Sequence, residues 1–338
     1  MIQIEKRNLI WGVLIFLLLI LSAISLIIIN SFEKECFDET LPNTCSEIRP
    51  YYCFQGELIE LASSCGCPSV LRELGDNCVS DYQTGEKNIT FNYVLRGKKG
   101  EIEFVVYEGL YSYLVNLPRH VSFRENFTLL DFRKKMIDEE NQRQFLLPLV
   151  LKIKEITSNK EDQARIAISL VQEIPFGGSD RLSRFGGITF DYQRYPYEVI
   201  YDNEGVCGEK SELLVFLLRE LGYGSAFIYY AEENHEVVGI KCPEEHGING
   251  SGFCFIETTG PSIVTDDKTE YLGVVELTSS PQILVVTNDG LSFSKYADEY
   301  NDAKIMIKIR NSADKYGRVN LLNYLKYKIL KSKYGLGY

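Results

Sequence analysis

The stretch Gly205-Val206-Cys207-Gly208-Glu209-Lys210-Ser211 runs straight into an apolar pattern, Leu213, Leu214, Phe216, Leu217, Leu218 and Leu221, that stops at Gly222. This order predicts a buried helix over about 209–221 with Cys207 at its N-terminal edge. Backbone N–H groups and the helix dipole at that position favour a thiolate, the nucleophilic form of cysteine. Beyond the helix, 225–231, 236–241 and 253–259 read as three successive antiparallel strands. His235 leads into the second strand. Glu257 shares a face of the third with Phe253 and Phe255, which shields its carboxylate from water. A cysteine opening a buried helix often serves only as a small hydrophobe. Followed by a histidine and a shielded carboxylate, Cys207 completes a set for nucleophilic catalysis, with Cys207, His235 and Glu257 as the catalytic candidates.

Working outward to the N-terminus, residues 9–32, opening at Leu9 and closing at Phe32, are almost wholly apolar and carry no charge. That length crosses a bilayer as one helix. A cleaved signal peptide has a shorter apolar core and a small-residue cleavage site, and Glu33-Lys34-Glu35 ahead of Cys36 is no lipoprotein approach. The expectation is a retained signal-anchor helix over 9–32. Lys6 and Arg7 flank it on one side, against two glutamates and one lysine on the other. The positive-inside rule then leaves a cytosolic tail at 1–8 and everything after about 33 outside the cytosol.

Cysteine usage agrees with that orientation. Cys36, Cys45, Cys53, Cys65, Cys67 and Cys78 crowd into 33–80, a span too poor in apolar residues to build its own core. This is the composition of a disulfide module in an oxidising compartment, with 15 possible connectivities. Cys242 and Cys254 bracket a loop and form a further candidate bridge, which leaves Cys207 unpaired. Sequons at Asn88, Asn126 and Asn249 suit extracytosolic exposure as glycosylation candidates. A zinc reading of Cys65 and Cys67, or of Cys242, His246 and Cys254, matches no common two-pair spacing, so no metal and no cofactor are expected.

A net charge of −11 removes the electrostatic footprint of a nucleic-acid binder. The 45% hydrophobic and 12% aromatic content supports a sizeable core after residue 80. Residues 81–120 form a strand-rich segment: 88–117 alternate in the strand manner, with a turn expected at Gly97-Lys98-Lys99-Gly100. Helical spacing follows over 131–156, and 161–174 is an amphipathic helix ended by Pro175. The glycines at 177, 178, 186 and 187 mark an irregular loop, and without a following Lys-Ser/Thr they make no phosphate loop. Residues 121–270 are the expected catalytic domain, with a helical lead-in over 121–175 and a core over 176–261. Residues 271–338 hold C-terminal strands and a basic helix. Its stretch 318–333 is basic and apolar at helical spacing, as in a solvated helix or one touching an anionic membrane surface.

Three motifs together resemble the transglutaminase-like superfamily of papain-type cysteine enzymes. They are Arg194-Tyr195-Pro196-Tyr197-Glu198 leading into 205–211, then Asn234-His235, then Ile256-Glu257-Thr258-Thr259. The resemblance covers about 166–261. It implies an α+β fold, a transglutaminase-like (papain-like) core with cysteine on a helix N-terminus packed on an antiparallel sheet. To this the chain adds the transmembrane helix and the disulfide module. By the resemblance Cys207 attacks an amide carbonyl, His235 moves the proton and Glu257 orients His235. Most members carry aspartate in the third role, which keeps Asp266 and Asp267 as alternatives, and Gln172 is a candidate oxyanion donor. The expected function is a membrane-tethered extracytosolic cysteine hydrolase acting on a protein or peptide substrate through a thioester. The alternatives are acyl transfer to an amine and a non-catalytic cell-surface binding module. A thiol–disulfide oxidoreductase would need a Cys-x-x-Cys pair at the reactive thiol, and Cys207 has none.

Overall fold

The computed structural model describes residues 17–22, 34–119, 128–185, 188–268 and 277–337. Of the apolar segment 9–32, only 17–22 fall within it, and these six residues are helical and exposed. Among the described residues no helix is long and apolar enough to cross a membrane. Asn126 lies outside the described residues. The chain divides into two units, Met1–Ser80 and Asp81–Tyr338.

The first unit contains hairpin β1 (Tyr51–Phe54) with β2 (Glu57–Glu60), a single turn α1 (Ala62–Cys65), and hairpin β3 (Arg72–Leu74) with β4 (Asn77–Val79). Its disulfides are Cys36–Cys53, Cys45–Cys65 and Cys67–Cys78, with Cα separations of 5.8, 5.6 and 5.6 Å. Among its described residues the buried apolar ones are Cys36, Pro50, Cys53, Ala62, Cys65 and Cys78, so the bridges make up most of the core.

The second unit opens with a long hairpin, β5 (Glu86–Leu95) and β6 (Lys98–Tyr107), paired along its whole length. The turn is Arg96-Gly97, both at positive φ (52° and 82°), the geometry of a two-residue primed turn. It therefore sits one position earlier than expected, and Lys98, Lys99 and Gly100 already belong to β6. Strand alternation stops at Tyr107, not 117. Leu110 and Leu114, one helical turn apart, are both fully buried and draw Glu108–Asn116 into helix α2. The helical stretch after 128 divides into α3 (Leu129–Ile137) and α4 (Glu140–Ile156), because the Glu139 carboxylate accepts the Gln142 N–H at 2.7 Å and starts a new helix. Helix α5 (Lys160–Glu173) is capped by Asn159, whose Oδ1 accepts from the Asp162 N–H at 2.9 Å, and it ends just before Pro175.

After hairpin β7 (Leu182–Phe185) and β8 (Ile188–Asp191) come α6 (Pro196–Asp202) and α7 (Cys207–Glu220). The run from Leu213 through Leu218 in α7 is buried at every position, as in a helix enclosed on all sides. It packs against β9 (Ser225–Tyr230) and β10 (His235–Lys241) and is covered by α3, α5 and α6. The sheet is antiparallel in the order β11 (Phe253–Ile256), β10, β9, β12 (Gln282–Thr287). Strand β12 thus comes from the 271–338 stretch and completes the same sheet as the three expected strands. β11 ends at Ile256, so Glu257 stands just beyond the strand rather than on its face. The chain finishes with α8 (Glu299–Tyr316), which the sequence reading did not single out, and α9 (Leu321–Tyr334).

Candidate active site

Helix α7 begins at Cys207, the one cysteine outside a disulfide, and the residue is partly exposed. The Glu209 carboxylate folds back to accept the Val206 N–H at 3.0 Å. The same carboxylate accepts the Arg194 N–H at 2.7 Å and Arg194 Nη1 at 3.1 Å, which fixes the helix start. The N–H groups of Cys207 and Gly208 lie in the first turn, where a helix supplies no carbonyl partner.

His235 and Glu257 are both buried, and His235 Nε2 lies 2.8 Å from Glu257 Oε2. Glu257 Oε1 accepts three further hydrogen bonds, from the N–H of Thr258 (2.9 Å), the N–H of Thr259 (2.9 Å) and Thr259 Oγ1 (2.8 Å). Burial raises the Glu257 pKa, but the hydrogen bond and charge of His235 and the Thr259 donors outweigh it, and the net shift is downward. For His235, burial opposes the charged form. Hydrogen bonds to Cys207 and Glu257, with the charges of both, overcome it and raise the imidazole to about 10. With Nε2 taken by Glu257, Nδ1 is the nitrogen left for Cys207. The structure therefore pairs His235 with Glu257 directly, and Cys207 acts on the same imidazole from the start of α7.

Other sequence candidates are placed elsewhere. Gln172 on α5 is not an oxyanion donor: its Nε2 donates to the Glu257 carbonyl at 2.9 Å and to Ser262 Oγ at 3.1 Å, so its two hydrogens are committed to bracing the segment that carries Glu257. Asp266 is buried against Arg310 of α8, and Asp267 is partly exposed, while Glu257 occupies the position beside the imidazole. Cys242 and Cys254 form a disulfide, Cα to Cα 5.8 Å, and His246 stacks on Tyr300 with ring centroids 3.7 Å apart. Among the described residues no group of three or more His, Cys, Asp or Glu side chains is arranged to hold a metal ion. Asn88, on β5, and Asn249 are exposed.

Sequence reasoning missed a charged cluster beside the thiol. Arg133 of α3 reaches Glu212 of α7 (Nη1 to Oε1, 2.8 Å) and Glu236 of β10 (Nη2 to Oε2, 3.1 Å). Its guanidinium stands 3.1 Å from where a Cβ on Gly208 would sit, so a side chain on the residue after Cys207 would press on it. Burial raises both carboxylates against the pull of Arg133, Glu212 to about 8 and Glu236 to about 7. The available signal was Glu212 itself, a carboxylate directly ahead of the apolar run 213–218. Lys210 is also fully buried; it donates to the Ile174 carbonyl at 2.5 Å, and burial lowers it to about 7.

No family model matches the chain, and no curated protein matches it. Among solved structures it is similar to calcium-bound LapG of Legionella pneumophila, at 14% identity over 53% of this chain and 98% of that one, with a TM-score of 0.27. A likeness that low carries no functional argument, and the reading below rests on the site geometry.

Proposed function

We propose that the protein is a membrane-tethered, extracytosolic cysteine hydrolase that cleaves peptide or amide bonds through an acyl-enzyme thioester. The observation that carries this reading is the buried His235 imidazole 2.8 Å from Glu257, with its pKa raised by Cys207 at the start of α7 as well as by that carboxylate. Four disulfides favour an oxidising compartment, and residues 9–32 supply the tether.

In the mechanism, Cys207 Sγ bonds to the carbonyl carbon while its proton is held by His235, the imidazole raised to about 10. The N–H groups of Cys207 and Gly208 face the oxyanion that develops. His235 then gives the proton to the departing amine as the C–N bond breaks, leaving a thioester. Water attacks that thioester with His235 as base, and the acid leaves as the thiol is restored. Glu257, held by the Thr258 and Thr259 donors, keeps the imidazole in one orientation throughout. Water needs no further binding site, which favours hydrolysis over amine transfer.

Because Cys207 is the sole free thiol, its alkylation in the disulfide-intact protein is a clean test. Iodoacetamide should modify it rapidly at pH 7, and His235→Ala should slow the reaction about tenfold or more. Equal rates in the two proteins would overturn the hydrolase reading.

A further inference from the structure

Helix α9 packs on the second unit through one side only. Leu330 is buried there in a cluster with Ile263, Ala303 and Met306, with Tyr327 and Tyr334 packed against it. On the other side, Leu321, Leu322, Leu325 and Ile329 are 73, 62, 49 and 65% exposed. At 3.6 residues per turn these four fall within an arc of about 100° facing away from Leu330. A surface helix ordinarily turns charge to water on that side; this one turns a second apolar stripe.

We propose that this outer face of α9 docks on an anionic lipid bilayer. The exposed Lys326 and Lys328 border the aliphatic stripe, and Arg318, also exposed, precedes the helix. The whole stretch 318–333 carries five Lys or Arg and no Asp or Glu, in a chain whose net charge is −11. Aliphatic side chains entering the acyl boundary with lysines reaching up to lipid phosphates is the chemistry of an interfacial helix. A second copy meeting this patch by a two-fold axis would set Lys326 and Lys328 against their own kind, which disfavours that occupant. An anionic surface repels the acidic remainder of the chain, so the basic helix is the part it selects. The inference is independent of the chemistry at Cys207.

The test is hydrogen exchange of the α9 backbone in the full chain, reconstituted with vesicles of phosphatidylcholine alone or of phosphatidylcholine with phosphatidylglycerol. Comparison between lipids is valid whether or not residues 9–32 insert. In the anionic vesicles α9 amides should exchange about tenfold or more slowly than in the neutral ones. The double variant Leu325→Glu, Ile329→Glu should lose that difference and keep the protection of α7 and β10. Equal exchange in both lipids overturns the proposal. So does protection that follows protein concentration without regard to lipid, which would assign the face to a second copy.

Discussion

The two units solve the same problem by opposite means. In the first, the buried apolar residues among those described are four cysteines, one alanine and one proline, and three disulfides with sequence separations of 17, 20 and 11 residues hold the chain. In the second, α7 alone buries six consecutive side chains against a four-stranded sheet and three helices. A span of fewer than fifty residues cannot exclude enough apolar surface to fold without staples, whereas the larger unit can. The difference leaves a cysteine free in the larger unit, where a fold that needs only one bridge can keep Cys207 as a thiol.

Reduction of all disulfides is the strongest way to break this comparison. Closing loops of such lengths contributes about 3 kcal/mol each, so residues 34–80 should unfold when their bridges are reduced. The second unit loses only Cys242–Cys254, which spans 12 residues, and should stay folded. Limited proteolysis after reduction should therefore cut within 34–80 and leave 81–338 protected. Survival of the first unit would show that its packing suffices without the bridges.

The second prediction concerns charge inside the core-built unit. Glu212 and Glu236 share one guanidinium, and burial raises the Glu212 carboxyl from its ordinary value of 4.5 to about 8. A carboxyl raised on folding contributes stability that is full below about 4.5 and is lost as pH rises through about 8, at most about 1.4 kcal/mol per pH unit for one group. Glu236, raised to about 7, acts in the same direction. Lys210, lowered to about 7, acts oppositely but only as pH rises above that value. Between pH 5 and 7 the melting temperature should therefore fall in the wild type. Glu212→Gln removes one of the titrations and leaves Arg133 to Glu236, so its curve should be flatter over the same range. Thermal melts across that range check this, and parallel curves would mean that Glu212 takes up no proton on folding.

What could be read from the chain follows from the distance between the residues involved. Cys207 at a helix start, the leucine periodicity behind it and the strand carrying His235 are local patterns, so they were legible. The run from Phe104 to Tyr113 was not, because its alternation continues past Tyr107 while Leu110 and Leu114 equally satisfy a helix. The pairing of the six clustered cysteines depends on which loops meet in space, and spacing does not contain it. Gln172 was a candidate oxyanion donor, yet its partners are 85 and 90 residues away, and only the folded chain shows that it braces the segment carrying Glu257. Arg133 has the same history: nothing within α3 marks it, and its meaning comes from Glu212, 79 residues on.

The smallest expected effect sharpens the comparison most, because it separates what holds the second unit from what orients its site. Gln172→Ala removes a buried brace from the Glu257 carbonyl and Ser262 Oγ, leaving both without that donor. The cost should be about 1–3 kcal/mol in denaturant unfolding, well short of unfolding a unit with so large a core. Glu257 would keep its Thr258 and Thr259 donors but lose the support that fixes its backbone. Alkylation of Cys207 at pH 7 should therefore slow by less than in His235→Ala. A Gln172→Ala protein that is destabilised by that amount but alkylates at the wild-type rate would make Gln172 a packing residue alone, and would leave the two threonines as sufficient support for the carboxylate.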